Sequence, residues 1–455
     1  MYLRSHRKRK MELQAAEEIG KKSFREGEDS ILRLNDDCLC HIFSFLNLQD
    51  LMVAEEVCTR FEAVAQQMYK FIKKLDFATD LQNDITSPKA IKAACRVGSY
   101  VSSIKVVGFE YNNKDIKDKV DFSQFLRMYF TNLQKVVLGF LDIQKCNECI
   151  TNLAVAFKEV KEVELYSCKI PDNNLKILFQ IDQLEVFQCY YDDILDGTFM
   201  EGLTRNIRQI TMCGCYNVKS EKFKKFCREH PNLKSLNICS YGWINKTCLS
   251  TIAEHLKELE TLQMSDSYYY VSSDDYAVLA DLPMLKHFKN LPIPGNSLGN
   301  CNLLLQQICK HNQLESLAWR YRPIALEKEN ETALRKLTKL KELNVSDSTW
   351  LVTFSDSTLD SLSTCLEYLH IYESRISLEH LEKFIKKCKF LKLLNVPFCQ
   401  DINENFILRI LPHLKERSHM LELVICQFKT LDKISVEFRR TYIGINSSKL
   451  MITFE

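Results

Sequence analysis

Three apolar positions recur down most of the chain in the order apolar-x-x-apolar-x-apolar, starting at thirteen places from Val101 to Met420. Successive copies lie 23 to 32 residues apart, with a mean of about 26.6. Ile72, Leu75 and Phe77 supply an earlier copy, 29 residues before Val101. In Leu233-x-x-Leu236-x-Ile238 the last two apolar residues alternate with polar ones, the period of a strand with one buried face. Upstream of it Phe223, Phe226 and Cys227 fall at helical spacing, and Leu381, Phe384, Ile385 and Cys388 do the same ahead of Leu391. Each unit therefore predicts a helix followed by a strand.

A fixed period between about 20 and 29 residues carrying this pattern is the signature of leucine-rich repeats. One helix and one strand cannot bury their shared apolar face alone, but stacked copies form a continuous core. The expected fold is an α/β solenoid, with a parallel β-sheet on the concave face and helices on the convex face. Thirteen strands at about 4.8 Å make a sheet on the order of 60 Å long. In the irregular end after Thr430, the alternating Leu450, Ile452 and Phe454 read as a closing strand over the last repeat's apolar edge. Cys168, Cys215 and Cys399 each stand three residues after the last strand apolar of their units. The string Cys388-x-x-Leu391-x-x-Leu394-x-Val396-x-x-Cys399-x-x-Ile402 closely resembles the cysteine-containing subtype of leucine-rich repeat, which is characteristic of one family of F-box proteins.

Ahead of the repeats, Asn35 is placed to cap a helix whose first turn holds Asp36 and Asp37, where the helix dipole favours acids. Leu39, Ile42, Phe43 and Leu46 form its apolar stripe. A second short helix is expected around Gln49–Glu56, and a third from Thr59 to Ile72 with Phe61, Val64, Ala65, Met68 and Phe71 on one face. Three short helices make a very small core, which tends to finish burying its apolar surface against a partner. The segment resembles the F-box: Leu34, Leu39, Ile42, Phe43, Ser44, Leu46, Leu51, Val57 and Cys58 match its pattern, while Asn35 replaces the usual proline and Phe61 the usual tryptophan. The division expected is a basic tail over 1–30, an F-box over 31–71, about 13–14 repeats over 72–430, and a C-terminal cap over 431–455.

The resemblance implies a substrate-recognition subunit of an SCF (Skp–cullin–F-box) ubiquitin ligase. The F-box would bind the Skp adaptor, and through it the cullin scaffold, while the repeats hold a protein substrate for ubiquitination and degradation. Carried over by position, Leu34, Asn35, Leu39, Ile42, Phe43 and Leu46 would lie in or behind the adaptor interface. Some F-box proteins act outside ligases, so a protein-binding scaffold is the alternative reading.

Composition narrows this further. Hydrophobic residues make up 46% of the chain, which excludes a disordered one, and no run approaches the roughly 18 apolar residues of a membrane span. The basic start has no apolar segment behind it, so the chain reads as soluble and intracellular, in cytoplasm or nucleus. Arg4, Arg7, Lys8, Arg9 and Lys10 read as a solvated end or a nuclear-localisation patch. A net charge of +2, most of it in the basic start, argues against broad binding to nucleic acid or membrane, which needs a basic face. Nineteen cysteines without a signal peptide are expected to be reduced and mostly buried, and Cys146-x-x-Cys149, lacking a second pair, is a weak zinc signal.

No phosphate loop, dinucleotide fingerprint, nucleophile elbow or metalloprotease motif occurs, and the ten His are scattered. The chain reads as non-catalytic, without cofactor or metal, and ubiquitin chemistry would belong to recruited partners. Strand residues between the core apolars face the concave surface. They include Glu162, Glu164, Tyr166, Gln188, Tyr190, His287, Lys289, Arg320, Tyr368, His370 and Tyr372. Tyr and Arg are enriched at binding hot spots, which makes Tyr166, Tyr190, Arg320, Tyr368, His370 and Tyr372 the substrate candidates. Arg320 with the Tyr368–Tyr372 strand would suit a peptide bearing an acidic or phosphorylated group. Inner-face rings that merely pack on one another are the competing account. The Leu291–Gly295 and Tyr268–Tyr270 loops are second candidates, and the equivalent Trp243 and Trp350 read as packing.

Overall fold

The computed structural model describes residues 31–81, 85–107, 116–239, 242–265, 271, 273–291, 306–309, 312–319, 328–345, 356–371, 376–396, 402–415, 417–425 and 449–454. Three helices come first: α1 (Asp36–Phe43), α2 (Leu48–Glu55) and α3 (Thr59–Tyr69). Asn35 Oδ1 accepts from Cys38 N at 2.9 Å and caps α1, and Asn47 caps α2 through Asp50 N at 2.9 Å. The stripe on α1 extends past the helix itself, which ends at Phe43 and leaves Leu46 in the turn. Helix α3 stops at Tyr69, before Ile72, because the chain must already extend into the first strand at Lys74. Leu39, Phe43, Leu51, Phe61, Val64 and Ala65 close the small core, with Phe43 and Phe61 packed edge to face at 5.1 Å.

The strands then run β1 (Lys74–Asp76), β2 (Ser103–Val106), β3 (Lys135–Gly139), β4 (Glu162–Tyr166), β5 (Val186–Tyr190), β6 (Gln209–Cys213), β7 (Ser235–Cys239), β8 (Thr261–Ser265), β9 (His287–Leu291), β10 (Ser316–Trp319), β11 (Glu342–Val345), β12 (Tyr368–Ile371), β13 (Leu393–Asn395), β14 (Leu421–Ile425) and β15 (Leu450–Phe454). They form one 15-stranded sheet in sequence order. All its pairings are parallel, and β15 closes the far edge with Leu450 opposite Leu421. Burial alternates along β4, β5 and β7, as the sequence pattern requires. Phe223, Phe226 and Cys227 are buried on helix Ser220–Glu229, and Leu381, Phe384 and Ile385 on helix Leu378–Lys387. The unit between Leu184 and Ile207 is only 23 residues long, too short for a full helix, and carries the 3-10 turn Thr198–Gly202 instead.

The buried thiols of Cys168 and Cys215 sit beneath the turns that leave the strands, Cys168 against the carbonyls of Leu138 and Tyr166 at 3.5 Å. Trp243 is also interior, its Nε1 donating to Cys215 O at 3.0 Å and its ring 5.1 Å from Phe223. One expectation about cysteine needs correction. Cys146 and Cys149 are joined in a disulfide, because Cys146 caps helix Asn147–Ala156 and turns its sulfur toward the residue one turn on. Nine of the sixteen described cysteines are buried, Cys146 and Cys149 included; strand alternation places Cys213 and Cys239 on the concave face, and Cys38, Cys40 and Cys58 belong to the small helical module.

A charge ladder runs along one edge of the sheet. The residue after the first apolar of each unit alternates in sign over seven units: Lys234, Glu260, Lys286, Glu315, Lys341, Glu367 and Lys392. Glu260 bonds Lys286 at 2.7 Å and lies 3.5 Å from Lys234, Glu315 bonds Lys341 at 2.7 Å, and Glu367 bonds Lys392 at 2.5 Å.

The helical module is fixed to the solenoid by a polar knot. Buried Glu55 accepts from Tyr69 Oη within the module and from Arg96 on helix α4 (Pro88–Val97) of the first repeat. Burial alone raises the Glu55 carboxyl, but the Tyr69 and Arg96 hydrogen bonds outweigh it and hold the group below its usual range. Lys92 on α4 also pairs with Glu56 at 2.8 Å.

Candidate functional site: two binding surfaces

The first surface is the outside of the three helices. Leu39 and Phe43 are core residues and Leu34 and Leu46 are half-buried, so these four stand behind any interface rather than in it. Asn35 is exposed and serves as the α1 cap. Ile42 is 37% exposed. Around it the helices and the turns that follow them expose Phe45 (77%), Val53 (60%) and Val57 (64%), with Ile31 preceding α1. Phe45 and Val53 were not among the candidates from sequence, and Val57 was only a motif match. Val53 falls off the buried stripe of α2, while Phe45 and Val57 lie in the turns just past α1 and α2, where counting along a helical stripe does not reach them.

The second surface is the concave strand face. Tyr166 and Tyr190, in register on β4 and β5, stack with ring centroids 4.8 Å apart and planes 9° from parallel. Tyr166 Oη donates to Glu164, and Tyr190 Oη donates to Gln188 Oε1 at 2.8 Å. The hydrogen bond to Glu164, with burial, raises the Tyr166 phenol, and burial with the Glu164 charge pushes Tyr190 up to about 12. Both rings are therefore neutral donors with fixed directions. The residue after each of β3 to β6 has a left-handed backbone: Phe140 (φ 59°), Ser167 (φ 48°), Tyr191 (φ 58°) and Gly214 (φ 74°). Each donates its N–H to the last carbonyl of the next strand, at 2.7–2.8 Å. This turns Phe140 and Tyr191 outward at the rim, 41% and 67% exposed. Gly214 is required there, because a Cβ would meet Tyr191 Cδ1 at 2.9 Å.

Farther along, Leu369 and Ile371 are core while Tyr368 and His370 face the other side, Tyr368 38% exposed with Lys392 Nζ 5.7 Å from its ring centre. Arg320 and Tyr372 lie outside the described residues, as do Trp350, Cys399, residues 1–30 and both second-candidate loops apart from Leu291. The structure thus brings Tyr166 together with Tyr190. Strand ion pairs on this face join Lys105 to Asp76 at 2.9 Å, Lys135 to Glu162 at 2.8 Å and Lys289 to Glu342 at 3.6 Å. Among the described residues, no group of three or more His, Cys, Asp or Glu is arranged to hold a metal, and no helix is long and apolar enough to cross a membrane.

Comparison with known proteins bears on the whole arrangement. Residues 31–73 match the F-box domain family. F-box/LRR-repeat protein 12 of Homo sapiens is 21% identical over 306 residues, covering 64% of this chain and 90% of that protein. A chain from the crystal structure of the yeast Rad7 and Elc1 complex shares the fold, with a TM-score of 0.50 and 10% identity over 94% of this chain and 99% of that one. An F-box joined to a leucine-rich-repeat solenoid is what the sequence and the coordinates both describe. Residues 31–73 thus carry an F-box, and the chain as a whole is similar to the F-box and leucine-rich-repeat proteins.

Proposed function

We propose that this protein is a substrate receptor of an SCF-type ubiquitin ligase. Its F-box docks a Skp-type adaptor, a cullin scaffold follows through that adaptor, and the strand face captures a protein substrate. The observation that carries this reading is the set of large apolar side chains on the outside of the F-box: Ile42, Phe45, Val53 and Val57 expose surface that no other described residue covers. A soluble domain this small gains most by covering such residues with a partner. The chain of similar fold comes from a crystal structure of a complex, that of yeast Rad7 and Elc1, which is consistent with a partner-bound role. Proteins of this family are generally non-catalytic adaptors, and no residue of this chain is assigned to a chemical step.

The test is a purified two-component binding assay with the Skp adaptor. Ile42→Asp combined with Phe45→Asp places unpaired carboxylates in an apolar contact, and adaptor affinity should fall by about 100-fold or more. Both side chains are exposed, so the melting temperature of the free chain should stay within about 2 °C of wild type. Unchanged adaptor binding by the double variant overturns the reading and favours a scaffold acting outside a ligase.

A further inference from the structure

Four side chains on β4 and β5 form a tile on the concave face. Glu164 and Gln188 are in register, and one step along the strands Tyr166 and Tyr190 are in register above them. The rings stack on each other at 4.8 Å, and each phenol is spent on the residue beside it, Tyr166 on Glu164 and Tyr190 on Gln188. Two acids on β4 face the same way, yet the neighbouring cation, Lys135, pairs with Glu162 at 2.8 Å. Among the described residues no cation lies within ion-pair distance of Glu164, whose carboxylate keeps acceptor positions beyond the one Tyr166 occupies. On one flank Gly139, in register with Tyr166, contributes no side chain of its own, and the space over it is filled by Val107, which brings no charge. On the other, β6 and β7 present the uncharged Thr211, Cys213, Asn237 and Cys239, so no nearby strand residue there competes for the acid. The exposed Phe140 and Tyr191 stand at the rim, both in a left-handed conformation that bulky residues rarely adopt and that clusters at binding sites.

We propose that this tile is a recognition pocket for an arginine side chain presented by a protein partner. The inference rests on the substrate-receptor reading and names the chemistry its strand face selects. A guanidinium is planar, so it can lie against the tyrosine rings while its edge forks to a carboxylate, which the compact ammonium of lysine cannot do. The pocket is rigid before binding, because the rings are locked by each other and by their phenol hydrogen bonds, so little side-chain entropy is lost on capture.

The probe is the capped tripeptide acetyl-Gly-Arg-Gly-amide, with lysine, citrulline and phosphoserine versions alongside. Each is titrated to roughly 20 mM into the full-length chain labelled with 3-fluorotyrosine, since a single side chain reaches only millimolar affinity. The ¹⁹F resonances of Tyr166 and Tyr190 are assigned by Tyr→Phe variants. The arginine peptide should shift both resonances, the lysine peptide should bind more weakly, and the citrulline and phosphoserine peptides should leave them in place. Glu164→Gln, half-buried and nearly isosteric, should keep the wild-type melting temperature and weaken the arginine response about ten-fold, the loss of one hydrogen bond to a charged acceptor. A citrulline shift as large as that of arginine, a shift by phosphoserine instead, an undiminished response in Glu164→Gln, or silence of both rings overturns the proposal. The adaptor assay separates this outcome from the parent reading. Adaptor binding without an arginine response removes the pocket only, and an arginine response without adaptor binding removes the ligase role only.

Discussion

Asp192 lies in the turn that follows β5, 2% exposed, with Oδ1 accepting from Ile194 N at 3.3 Å and Oδ2 unpartnered among the described residues. Burial pushes its pKa up to about 7, helped by the nearby charges of Asp193 and Asp172. In the unfolded chain the group titrates near 3.9. The folded state therefore binds the extra proton, so this residue's contribution is fully present below about pH 4 and is lost as pH climbs through about 7. Asp192→Asn should abolish that loss. Urea midpoints at pH 4.5 and 7.5 should differ less for the variant than for wild type, by on the order of a few kcal/mol in unfolding free energy. Equal pH dependence in the two proteins would mean that Asp192 is solvated. Nothing in the sequence marks this aspartate, because it sits among Asp193 and Asp196 in a loop that reads as polar and exposed.

The elements tell a different story about legibility. Strands and most helices were readable because a period needs only local spacing: Leu236 and Ile238, or Phe223 and Phe226, declare their faces within one turn or one pleat. The join between the F-box and the first repeat was not, since Glu55, Tyr69 and Arg96 are 14 and 41 residues from one another's hydrogen-bonding partner and obey no pattern. The outer F-box residues Phe45 and Val53 were missed for a related reason, as stripe counting selects what is buried and so returns Leu39 and Phe43. On the strand face, Tyr166 and Tyr190 were found by alternation, while their stacking came from register between repeats of unequal length. The join is open to a double-mutant cycle. Glu55→Ala leaves the buried Tyr69 hydroxyl without its acceptor and should cost about 1–3 kcal/mol, and adding Tyr69→Phe should restore part of it. Denaturation of the full chain measures both, and strictly additive losses would show that the two groups do not act as a unit.

For the molecule as a whole, stability is a sum over neighbouring repeats, and its weak points are the ends. Strand β15 covers β14 along five register pairs, with Leu421, Leu423 and Ile425 buried beneath the same edge. Truncation after Ile425 should therefore expose an unpaired parallel edge and shift the protein to oligomers in size-exclusion chromatography. A monomer of unchanged melting temperature would show that β15 is dispensable. The ladder from Lys234 to Lys392 imposes a further condition, one of parity. Because the sign flips at each step, excising residues 260–285 would set Lys234 beside Lys286, whereas excising 260–314 would set it beside Glu315 and keep the alternation. Removing repeats here in pairs thus keeps the alternation, whereas removing one sets two like charges side by side, a modest bias toward even numbers in any lineage that gains or loses them by recombination.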